Sequence, residues 1–140
     1  MLQQLRHRLN NHTPRRFRSD QPKASVLIAI TDHPTDPEVI LTRRADHLSS
    51  HSGEVAFPGG KHDLTDPDLL FTALREAEEE VGLNPNKVDV IGPLGQVMSK
   101  NRLQVTPYVG IVPDNVTLTA NLDELDAIFR VPVSYLMSDP

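Results

Sequence analysis

Residues 75–83 read Arg-Glu-Ala-Glu-Glu-Glu-Val-Gly-Leu, placing four carboxylates, Glu76, Glu78, Glu79 and Glu80, within five residues. On a helix, side chains three and four apart share a face, which groups Glu76, Glu79 and Glu80 and turns Glu78 away. Like charges at that spacing repel, so holding them together calls for a compensating cation. An anionic, all-oxygen donor set suits a hard divalent ion, Mg²⁺ or Mn²⁺. Arg75 reaches Glu79 across one turn and is placed to fix the orientation of that carboxylate. Upstream, the Pro58-Gly59-Gly60 turn removes side chains where backbone has to approach a metal or a phosphate. Glutamates alone read equally as the solvated face of a helix built from good helix formers. The combination of glycine turn, capped helix, Arg75 and closing Gly82 tips the balance towards a site.

The elements that must position these groups follow from periodicity and turn chemistry. ASVLIAIT (24–31) is an apolar run of strand length, and EVILTRR (38–44) alternates after the turn-forming HPTDP. GEVAF (53–57) makes a third short strand. Asp66 is expected to cap the acidic helix with Pro67 at its first position, and Gly82 to end it. Leu70, Ala73, Leu74, Ala77 and Val81 form its apolar stripe. Beyond it, 87–98 and 103–113 read as two longer strands, 116–119 as a short addition, and 122–129 as a helical turn. Residues from Val131 onward start a last element. Leu2, Leu5 and Leu9 sit at helical spacing, so residues 1–23 are expected to be an amphipathic helix and linker ahead of a domain over 24–140. Phe57, Phe71 and Phe129 are expected in the core. Strands on both sides of one central helix point to a mixed α/β or α+β sandwich.

Composition narrows the function. A formal net charge of -5 argues against a broad nucleic-acid-binding face, which needs clustered Lys and Arg. The chain has no cysteine, which excludes disulfides, thiolate zinc sites and cysteine nucleophiles. No run approaches the roughly 20 apolar residues of a bilayer span, and no apolar signal core is visible, so a cytoplasmic protein without membrane partner is expected.

Arg75 to Leu83 fits the second half of the Nudix box, and the whole stretch GGKHDLTDPDLLFTALREAEEEVGL resembles that family's glycine, acidic residue and Arg-Glu-apolar-any-Glu-Glu pattern. Asp66 stands where the family usually has Glu, with eight residues rather than seven separating it from Arg75. That length, and LTRRADHLSSHSGEVAFPGG before it, resemble the coenzyme A diphosphatase branch; Ala45 and Ser49 depart from the branch signature at its Ser and second Arg positions. Arg102 stands where branch members often carry Gly.

The resemblance implies an α/β/α sandwich with a mixed central sheet and a catalytic loop-helix-loop. It also implies cleavage of a nucleoside diphosphate derivative by water, with metal ions neutralising the pyrophosphate. Glu76, Glu79 and Glu80 become the expected metal ligands, with a backbone carbonyl of Gly59 or Gly60 and a contribution from Glu54. Glu79 or a distal Glu124 is the candidate base, while Arg44, His51 and Lys61 are candidates for substrate phosphate. Coenzyme A or an acyl derivative is the leading substrate. ADP-ribose, a dinucleotide or a nucleoside triphosphate comes next, and a non-catalytic nucleotide sensor stands as the reading from another class. A homodimer is compatible with the apolar strands but not required by them.

Overall fold

A computed structural model describes residues 2–10, 21–48 and 53–137. Its centre is a mixed sheet. The apolar run at 24–31 lies within β1 (Lys23–Thr31), which pairs in parallel with β7 (Gln104–Val112) through nine consecutive partners, from Lys23 with Gln104 to Thr31 with Val112. On its other side β1 is shared. Its first residues pair with β4 (Gly59–Lys61), and only Ile30 meets β2 (Glu38–Arg44). β2 continues the sheet through β3 (Val55–Ala56) and β8 (Leu125–Pro132), while β5 (Asp89–Pro93) and β6 (Val97–Met98) line the far side of β7.

Both faces of β1 are covered, which is why its sequence is continuously apolar rather than alternating. On one face Leu27 and Ala29 meet Ala73, Ala77 and Val81 of α2 (Leu69–Val81), all essentially buried. On the other, Ile30, Val39 and Val109 receive Leu2 and Leu5 of α1 (Leu2–Asn10), and Val133 opens the short α3 (Val133–Met137) on that side. Helices on both sides of a mixed sheet are the architecture expected from the sequence.

The acidic helix starts later than its sequence suggests. Asp68, not Asp66, is the N-cap: its Oδ1 accepts from the Phe71 backbone N–H at 2.8 Å. Asp66 is drawn away into a buried ion pair, leaving the next aspartate to cap. Gly82 closes the helix in the left-handed region at φ 68, as expected of a glycine in that position. Phe71 falls on the solvent side and is 45% exposed, so of the three phenylalanines expected in the core only Phe57 and Phe129 pack against it.

Three downstream expectations are corrected. Residues 116–119 form no strand, because their donors are committed elsewhere: the N–H groups of Thr119 and Asn121 donate to the carbonyls of Val81 and Glu80, both at 2.8 Å, capping the open end of α2. Residues 125–132 are strand β8 rather than a helical turn. Leu122, Leu125 and Phe129 imitate helical spacing, but β2 presents a full edge from Glu38 to Arg44 that β8 satisfies. The single strand expected over 87–98 is a 3₁₀ turn (Pro85–Lys87) followed by β5 and β6. β5 carries a bulge between Val90 and Gly92, the latter at φ 155, and ends at Pro93; residues 94–96 then separate it from β6.

Candidate active site

Two glycines let β4 dock beneath α2. A Cβ on Gly59 would lie 2.4 Å from the Ser25 carbonyl oxygen and 2.7 Å from the Val26 Cα, a collision with backbone. On Gly60 it would lie 2.6 Å from the Glu76 carboxyl group. The first glycine is demanded by the sheet and the second by the site. Gly60→Ala is therefore expected to push the flexible Glu76 side chain aside while leaving the fold nearly as stable. Turnover should fall by about 100-fold with little change in melting temperature, and a comparable fall in both would contradict this.

Arg75 organises the acidic face. Its Nε and Nη2 donate to the two oxygens of Asp66 at 2.9 and 3.0 Å, a bidentate fork. Its Nη1 donates to Glu76 at 2.9 Å and to Glu79 at 3.2 Å, and Nη2 reaches the Lys61 carbonyl at 3.4 Å. The Asp66 side chain has no exposed surface and also accepts from Thr72 Oγ1 at 2.8 Å and the Asp63 N–H at 3.0 Å. The Arg75 guanidinium holds Asp66 well below the usual carboxylate range, and Asp66 in turn raises Arg75. Thr72 spends its proton on Asp66, which makes His62 Nδ1 the donor across the 2.9 Å contact to Thr72 Oγ1. Sequence reasoning missed this support, in which Asp66 and Thr72 are buried and His62 is partly exposed. The available signal was Thr72, a polar residue beside Ala73 on the side of the helix that enters the core.

The carboxylates divide by burial. Glu79 is mostly exposed, whereas burial pushes Glu76 up against the opposing pull of Arg75. Glu80 accepts from the Gly59 N–H at 2.9 Å, yet burial, reinforced by the charges of Glu76 and Glu124, pushes it up to about 7. Glu124 reaches this cluster because Asn121 ties its turn to the end of α2. The Asn121 carbonyl accepts from the Glu124 and Leu125 N–H groups, and the Glu124 carbonyl accepts from Ala45 N–H at 2.8 Å. Glu76, Glu79 and Glu80 thus share the helix face around Arg75 and β4, and Glu124 comes near enough for its charge to act on Glu76 and Glu80.

The phosphate candidates fare differently. Arg44 stands near enough to Glu80 to pull its pKa down, and its N–H donates to the Glu54 carbonyl at 2.8 Å beside the site. Lys61 pairs with Ala24 while Gly60, which faces Glu76, pairs with Ser25. That alternation turns the Lys61 side chain to the opposite face, so only its carbonyl addresses the site. His51 and Ser49 lie outside the described residues.

Among the described residues no three acidic or histidine side chains are gathered closely enough to hold an ion as they stand. Arg75 and the Gly59 N–H take the oxygens that a cation would take. The donor set nevertheless fits a hard divalent ion: it offers carboxylates on one face, two of them raised by burial and mutual repulsion, and a backbone cradle kept open at Gly60.

The model of the NUDIX domain matches residues 21–137. The chain belongs to the Nudix family. A Nudix hydrolase NudL of Yersinia enterocolitica, described as uncharacterized, is 47% identical over 128 residues, covering 91% of this chain and 65% of that protein. Its counterpart from Yersinia pestis strain Pestoides F is 46% identical over 122 residues, covering 87% of this chain and 61% of that protein. The chain thus spans a little under two thirds of these relatives. Solved Nudix structures share the fold. RenU of M. smegmatis superposes with TM-score 0.66 at 20% identity over 80% of this chain and 71% of that one. The NUDIX domain of Shewanella oneidensis NrtR, solved with ADP ribose, gives 0.65 at 19% identity over 96% and 86%. Within the Nudix box, the eight-residue spacing of Asp66 from Arg75 has a structural counterpart: Asp66 sits before the helix and closes on Arg75 from outside it.

Proposed function

We propose that this chain is a metal-dependent pyrophosphohydrolase for nucleoside diphosphate derivatives, with coenzyme A or an acyl-CoA as the leading substrate, giving 3',5'-ADP and a 4'-phosphopantetheine product. The observation that carries the reading is the Arg75 clamp, which fixes Glu76 and Glu79 on one face while Glu80 and Glu124 converge from the helix end. The coenzyme A preference rests on the resemblance of 42–60 and of the long box to that branch. Domain limits of 1–23 and 24–140 and the homodimer remain part of the proposal.

Glu76, Glu79, Glu80 and a carbonyl of Gly59 or Gly60 are assigned as the groups that hold Mg²⁺ or Mn²⁺. When bound, such ions screen the pyrophosphate charge and lower the pKa of a coordinated water. The chain supplies the rest. Arg75 restricts the swing of Glu76 and Glu79, reducing the reorganisation needed for productive geometry. Arg44, at the rim beside Glu80, is positioned for a phosphate oxygen. Glu124 or Glu79 accepts the proton of the attacking water.

Product analysis tests this directly. Coenzyme A, ADP-ribose, NADH and a nucleoside triphosphate are incubated with wild type and Glu79→Gln in Mg²⁺ or Mn²⁺. Release of 3',5'-ADP from coenzyme A, reduced at least 100-fold in the variant, is the expected result. Cleavage of ADP-ribose in its place would move the substrate assignment. Near-normal turnover by Glu79→Gln at saturating metal would remove Glu79 from the site.

A further inference from the structure

At one end of the sheet, β6 and β7 are joined by the hairpin Ser99–Leu103, held by the Ser99 and Leu103 backbones at 2.9 Å and by Ser99 Oγ accepting from the Leu103 N–H at 3.0 Å. Its last turn residue, Arg102, lies at φ 61, the only described non-glycine residue at positive φ. An L-residue with a Cβ costs roughly 1 kcal/mol there relative to glycine. A glycine would serve the turn better, so the arginine side chain is present despite the backbone.

The hairpin sits beside the catalytic face. Gly60 faces Glu76 and pairs with Ser25; Ser25 pairs with Thr106, and two residues back along those strands Lys23 pairs with Gln104. Gln104 in turn is opposite Met98, so Met98 and Lys23 point to the same side of the sheet as Gly60 and Ser25. The Lys23 carbonyl also accepts from the His62 N–H at 2.9 Å, fixing Lys23 against the loop that supports Asp66. Lys23, Lys100 and Arg102 are all exposed and form no ion pair among the described residues, in a chain of net charge -5. Met98, 44% exposed, adds an apolar platform among them.

From this arrangement we infer that Lys100 and Arg102, with Lys23, form a subsite for a phosphate monoester carried on the substrate's ribose, separate from the pyrophosphate handled by the glutamates, with Met98 beneath the nucleoside. The assignment deepens the proposed function. On the proposed function it accounts for how a site whose glutamates are acidic and whose Lys61 side chain turns away would select a substrate with extra negative charge: basic residues stand at the β6–β7 end of the sheet that carries Gly60.

The test separates this subsite from hydrolysis. Binding of 3',5'-ADP and of 5'-AMP is measured by calorimetry at low salt, without metal and with Mg²⁺, for wild type and for the double variant Lys100→Ser with Arg102→Gly. Wild type is expected to bind 3',5'-ADP at least 10-fold more tightly than 5'-AMP, the gap narrowing as salt rises. The double variant, which keeps Lys23, should lose most of that preference, with 5'-AMP affinity unchanged. Because Arg102→Gly relieves the positive φ, the variant should melt no lower than wild type, which removes misfolding as an explanation. Equal binding of both nucleotides by wild type, or an undiminished preference in the variant, overturns the subsite. Preference without any turnover of coenzyme A leaves the subsite standing and sinks the hydrolase reading; turnover without preference does the reverse.

Discussion

Glu80→Gln should lower pyrophosphate hydrolysis by roughly 10³-fold and, in the same protein without metal, raise the melting temperature at pH 8 by about 5 °C. The two effects share one cause. Folding moves the Glu80 carboxyl from an ordinary value of 4.5 to about 7, chiefly by burial. A carboxyl raised on folding binds its proton more tightly in the folded state, so stability falls as pH climbs from about 4.5 to about 7, and the full cost stands above that. The shift corresponds to an upper figure on the order of 3 kcal/mol. Glutamine keeps an acceptor for the Gly59 N–H and removes the charge, so thermal unfolding of the variant should show a smaller decline between pH 5 and 7 than that expected of wild type. Mg²⁺ affinity of wild type should rise over the same window, because the ion competes with the proton. A variant that melts lower than wild type at pH 8 would show that the buried charge is already compensated by the protein.

Asp66→Ala should be the most destabilising single change near the site, lowering the melting temperature by about 10 °C at pH 7. Its carboxylate takes both arms of Arg75, the Thr72 hydroxyl and the Asp63 N–H, with no exposed side-chain surface. Removing it strands a guanidinium that is only one-quarter exposed and releases the residue that orients Glu76 and Glu79. Because the Asp66 pKa is depressed, its contribution is present above the ordinary carboxylate range and is lost as pH falls through the folded value. Wild type and variant should therefore converge towards acid pH. Asp68→Ala, which removes a solvent-side cap, is the control, with a loss of only about 1 kcal/mol. Equal losses from the two would show that Asp66 serves merely as part of the helix start.

How far these groups could be read beforehand depended on whether their partners were local. Glu76, Glu79 and Glu80 share a face by helical spacing alone, and Gly82 ends the helix for a local conformational reason, so both were legible. Asp66 reads as the cap because Pro67 follows it, and only the claim of Arg75 on its carboxylate leaves the cap to Asp68. Residues 116–119 and 125–132 were misread because their backbone partners lie far away, at the end of α2 and along β2. Lys61 looked like a phosphate ligand by proximity in sequence, but strand register, invisible in a short segment, reverses its side.

The parallel pairing of β1 with β7 also bears on the order in which the protein is built. Ser25 and Thr106, joined through the Ser25 hydroxyl, are 81 residues apart, and the Glu124 turn comes later still. Closing so long a loop has its entropy to overcome before any strand contact is gained, which makes this a slow topology. During synthesis the acidic helix leaves the ribosome well before the strands that complete its surroundings. A nascent chain therefore carries the whole glutamate motif but lacks the Glu124 turn that completes the site until nearly its last described strand has emerged.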